Sequence, residues 1–68
     1  MRTKSQWRNY AAACLWTMRR CQREASEANQ RCFAGDSSAV PLLADRMLAI
    51  GLYRGRAIAY KEASEDAS

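Results

Sequence analysis

The sequence predicts an all-α fold: an antiparallel two-helix hairpin, paired with a second copy into a homodimeric four-helix bundle. Three observations lead there. From Lys4 to Ala34 the chain contains no Pro or Gly, so nothing in that stretch interrupts a helix. Within it Trp7, Ala11, Cys14, Met18, Cys21, Ala25, Ala28 and Cys32 recur at alternating spacings of four and three, the a/d rhythm of a helix laid along another helix. Beta-branched residues are scarce while Ala, Arg, Leu, Gln and Glu dominate, a composition that favours helix over strand.

The elements follow in order. Thr3 with Gln6 forms a capping box, in which the hydroxyl caps an orphan backbone N–H and the amide reaches back. The first helix spans about residues 4–34, roughly 45 Å at 1.5 Å per residue. Gly35 supplies the left-handed residue that ends it. Residues 35–38 make a tight connection, with Ser38 or Asp36 as the next N-cap. Pro41 falls in the first turn of the second helix, where its missing N–H costs nothing. That helix spans about residues 39–63, and the small, acidic tail 64–68 is expected to fray. The whole chain, residues 1–68, is one domain without repeat or linker.

Apolar residues occupy two sides of the second helix. Ala44, Leu48, Gly51, Gly55 and Ile58 form one stripe, and Leu43, Ile50, Tyr53, Ala57 and Tyr60 form another. The glycines cost helix propensity, about 1 kcal/mol each. The sequence therefore suggests that Gly51 and Gly55, with Cys14 and Cys21 opposite, permit close packing of the two helices. On that reading Leu43, Ile50, Tyr53 and Tyr60 are left over as an interface, because a two-helix hairpin has one inside.

The chain contains no His, which removes Ser–His and Cys–His catalysis. No Gly-rich phosphate loop is present, and Glu24 and Glu27 have neighbouring arginines that make them ion pairs rather than an acid and a base. Seven helical residues separate Cys14 from Cys21, about 10 Å, too far for a disulfide or a shared metal within one helix. The reading is therefore no enzyme, no metal and no cofactor, with the three cysteines as small packing residues. An odd cysteine count and no secretory leader point to a reducing cytoplasm. The apolar run of residues 39–53 is broken by Asp45 and Arg46 and is too short to span a bilayer.

Charge is uneven along the chain. Residues 1–34 hold seven Arg or Lys against two Glu, and residues 35–68 hold four against five acids. On the first helix Trp16, Arg19, Arg20 and Arg23 lie opposite the a/d seam. Trp offers large apolar area, and Arg forks onto carboxylates or phosphates. Part of the pattern has a plainer explanation: Arg20 with Glu24, Arg23 with Glu27 and Glu27 with Arg31 are i,i+4 partners.

In length and predicted architecture the chain resembles the Rop family of plasmid regulators, dimers of helical hairpins that bind paired RNA loops. The resemblance lies in the layout, carries no motif and transfers no residue role. It implies a second reading, RNA or DNA binding through the basic face; attachment to an anionic membrane surface ranks third. The first reading is a non-enzymatic protein–protein interaction module that acts by stoichiometric binding, as inhibitor, adaptor or regulatory subunit, with itself or a protein target as partner. Small phage and mobile-element proteins that inhibit host systems, anti-CRISPRs among them, have this size and Ala/Arg-rich composition.

Overall fold

The structure is a computed structural model that describes residues 2–67. Helix α1 (Lys4–Phe33), a single 3₁₀ turn (Ser37–Ala39) and helix α2 (Val40–Asp66) make an antiparallel hairpin with extents of 52 × 13 × 13 Å. Among the described residues no helix is long and apolar enough to cross a membrane.

Each end of α1 is closed by its local sequence. Thr3 Oγ1 accepts from the Gln6 amide at 3.2 Å and Gln6 Oε1 accepts from the Thr3 amide at 2.8 Å, which satisfies two donors that helix geometry orphans. At the other end Gly35 has φ 94°, a left-handed conformation open to glycine at no Cβ cost. Its N–H donates to the Cys32 carbonyl, and the Asp36 N–H donates to the Arg31 carbonyl at 2.9 Å, the paired bonds of a Schellman motif. Asp36 then caps the 3₁₀ turn by accepting from the Ser38 amide and hydroxyl. Arg31 in the last turn of α1 closes the corner with an ion pair to Asp36 at 2.7 Å.

The seam of α1 faces α2: Cys21, Ala25 and Ala28 are buried, and Trp7, Ala11, Cys14, Met18 and Cys32 are half-buried. The buried set also holds Ala39 and Ala57, and among the described residues no large side chain is fully buried. A core of methyl groups removes little apolar area from water, at about 25 cal/mol per Å². The hairpin on its own therefore sits near the margin of stability expected for so short a chain.

Two expectations from the sequence are corrected. Helix α2 continues past residue 63: Ser64 is helical, only 3% exposed, and its hydroxyl donates to the Lys61 carbonyl at 2.6 Å. Ser64 continues the side of α2 that faces α1, one turn beyond Tyr60, which lies on Trp7 at 5.7 Å and near Tyr10 at 5.8 Å. Arg2 lies over the Tyr10 ring at 4.7 Å and the Trp7 ring at 5.1 Å, so the open end of the hairpin is clamped by rings and a cation. Of the tail, Ser68 lies outside the described residues.

The second correction concerns which face of α2 is inside. Leu43, Ile50, Tyr53 and Tyr60 are half-buried and Ala57 is buried, so this stripe turns toward α1. Gly51 and Gly55 are exposed, and a Cβ added at either would meet nothing within 4 Å. The expected close packing of the glycines on α1 is thus overturned. Shape explains the swap: an α1 seam of Cys and Ala leaves room for the Tyr and Ile side chains of α2, and large against small fills space better than small against small.

Candidate binding surfaces

Three surfaces carry the residues of interest. The first is the outer side of α1. Trp16 is 65% exposed there, beside exposed Arg19, Arg20 and Arg23. Trp16, Arg20, Arg23, Glu24 and Glu27 line a shallow hollow of about 340 Å³. Position accounts for the exposure, because 100° of rotation per residue places these side chains opposite Cys14, Cys21 and Ala25.

The second surface is polar and crosses between the helices. Arg46 on α2 donates from Nε to Glu24 on α1 at 2.5 Å and from Nη1 to Asp45 at 2.6 Å. Glu24 also accepts from Arg20 Nε at 3.3 Å. The bond from Arg46, with its charge and that of Arg20 behind it, lowers the Glu24 carboxyl below its ordinary value; the same bond raises Arg46 above its own. Asp36 is likewise lowered, first by the Ser38 hydroxyl and then by Arg31. Of the three i,i+4 pairs suggested by spacing, Arg20–Glu24 forms. Glu27 makes no ion pair among the described residues, and Arg31 turns to Asp36 instead. Arg19 and Arg23 are likewise without an ion pair among the described residues.

The third surface is the side of α2 turned away from α1. Leu48 is 77% exposed, and Val40, Met47, Leu52 and Ile58 are each more than half exposed. Between them Gly51 and Gly55 form a bare strip of backbone. Sequence reasoning had the stripe of Leu48, Gly51, Gly55 and Ile58 but put it inside. Arg46 was missed as a cross-helix partner; its place one turn from both Leu43 and Ile50 was the available signal, since a charge on an inward face needs a counter-charge.

The described thiols of Cys14, Cys21 and Cys32 are free. No cluster of His, Cys, Asp and Glu able to hold a metal occurs among the described residues. Chemically, these surfaces offer apolar area, guanidinium forks and one exposed indole. No protein-family model, curated protein or solved structure matches the chain.

Proposed function

We propose that this protein is a non-enzymatic interaction module that acts by stoichiometric binding, as an inhibitor, adaptor or regulatory subunit. It works as a homodimeric four-helix assembly and grips a protein target through Trp16, Arg19, Arg20 and Arg23. The observation that carries the reading is the indole of Trp16, standing out from α1 among arginines of which Arg19 and Arg23 have no intramolecular ion pair among the described residues. An exposed Trp flanked by Arg is the composition of an interface hot spot, and unpaired guanidinium groups complement carboxylates on an acidic protein surface. Its size and composition suit the company of phage and mobile-element inhibitors.

Affinity purification from the native host, with wild-type protein beside Trp16→Ala and Arg20→Ala, tests this. One or two defined proteins are retained by the wild type, and Trp16→Ala weakens that capture by about 2 kcal/mol or more. Unchanged affinity in both variants refutes the basic-face assignment. The same unpaired arginines favour RNA or DNA as the second reading. That reading requires copurifying nucleic acid and an affinity that falls steeply with salt.

A further inference from the structure

We propose that the outward face of α2 is a self-pairing surface, on which a second copy of this chain docks with its own α2 antiparallel, the two-fold axis passing between Gly51 and Leu52. The proposal rests on the binding-module reading and names the partner of one of its faces.

Area is the first argument. The chain exposes 5194 Å², whereas a folded monomer of its 7.7 kDa should expose about 4300 Å². The excess is close to the roughly 800 Å² that each partner buries in a standard stable interface. Large apolar side chains are uncovered on both helices, Tyr10, Leu15, Trp16 and Phe33 on α1, but those of α2, from Val40 to Ile58, share one side, a stripe about 27 Å long at 1.5 Å per residue. No charge interrupts it. Helical spacing puts Asp45 and Arg56 together along one border and Arg54 along the other.

Shape and charge then choose the orientation. With the axis between Gly51 and Leu52, Leu48 lies over the partner's Gly55, and Leu52 comes level with the partner's Gly51 from the Asp45 border. Leu48 thus meets bare backbone, and the open space at Gly55 becomes the socket. Asp45 comes level with the partner's Arg56, offset by two residues or about 3 Å, on the same border because a two-fold axis keeps borders together. Asp45 already accepts from Arg46, and its second oxygen remains for this contact. The ends agree as well. The last turns of α2 carry Glu62, Glu65 and Asp66 with no base in the final turn, and its first turn has no acid. Within one helix those carboxylates oppose the macrodipole, but antiparallel pairing sets them beside the positive N-terminal end of the partner's α2. Parallel pairing stacks acid on acid.

Sedimentation velocity across a dilution series tests the proposal, with helicity checked by circular dichroism on each variant. The wild type is expected to move from single-chain to double-chain mass as concentration rises. Leu48→Arg and Gly55→Leu raise the dissociation constant about 30-fold or more, and neither disturbs the hairpin because both sites face open space. Asp45→Arg and Arg56→Asp each weaken pairing about tenfold, while mixing the two variants restores it, since every border contact in the mixed pair becomes attractive. A single-chain mass at millimolar concentration overturns the proposal, as does a dimer indifferent to Leu48→Arg. Failure of the mixture to recover overturns the antiparallel register. Trp16-dependent capture of a target by a chain that stays single sinks this inference and the dimer with it, and leaves target binding through the basic side of α1 standing.

Discussion

The two sides of α2 carry nearly the same amount of apolar material and do opposite things with it. The inner side presents Ile50, Tyr53 and Ala57 to the Cys and Ala stretch of α1, and Tyr60 to the rings of Trp7 and Tyr10 at its open end, and all are buried or half-buried there. The outer side presents Met47, Leu48, Leu52 and Ile58 around two glycines and stands in solvent. Hydrophobicity does not distinguish the two sides, whereas complementarity of size does. A seam of Cys and Ala selects the side with bulk, because bulk against bulk would force the helix axes apart and small against small would leave voids. Glycine on the outer side is thus a feature that the hairpin itself does not use.

The largest expected effect breaks the inner side. Ala28 is 1% exposed, so Ala28→Leu overpacks the contact and costs about 2 kcal/mol, a large share of the stability of so small a domain. Thermal unfolding followed at 222 nm checks this, and an unchanged midpoint would mean that the two helices leave room for the larger side chain at Ala28. The next effect has the opposite sign. In dilute, single-chain protein Gly55→Ala raises stability by about 1 kcal/mol, since Ala gains helix propensity and its methyl meets open space. A lower midpoint for Gly55→Ala than for the wild type in dilute protein would show the glycine to be tightly packed within the hairpin. The two substitutions together sharpen the comparison, as one added methyl group is welcome outside and several are harmful inside.

The smallest effect concerns the polar crossing. Glu24 and Asp36 are held below their ordinary carboxyl values by Arg46 and by Ser38 and Arg31. A carboxyl lowered on folding lends its stabilisation in full above the unfolded value, 4.5 for Glu24, and loses it as pH falls through the folded one. Stability should therefore be flat from neutral pH down to that value and decline below it. Glu24→Gln should flatten part of the decline. Both groups are at the surface, where solvent screens such pairs and keeps the change small. A decline of equal depth in Glu24→Gln assigns it to other groups.

Much of the hairpin was legible from local chemistry. Thr3, Gln6, Gly35 and Asp36 act through bonds to residues a few positions away, so spacing alone identified the capping box, the left-handed stop and the alternative cap. The seam from Trp7 to Cys32 was legible because its period matches one face of a helix with one partner. The end of α2 was not, since Ser64 is buried against the other helix, one turn beyond Tyr60, whose ring meets Trp7 and Tyr10 some fifty positions away. Arg46 escaped notice for the same reason: its partner Glu24 lies on the other helix. Of the surfaces, Trp16 and its arginines were readable as the side of α1 opposite the seam. The roles of the two α2 stripes were exchanged.

By itself the sequence determined two helices, their turn, the covered side of α1 and the basic strip on its back, because each is written in spacings shorter than two helical turns. Only the tertiary structure decided which side of α2 goes in, how far α2 runs and which charges meet. Those outcomes depend on the fit of one helix against another, and a periodic pattern that is apolar on two sides carries no information about which side finds the better-shaped partner.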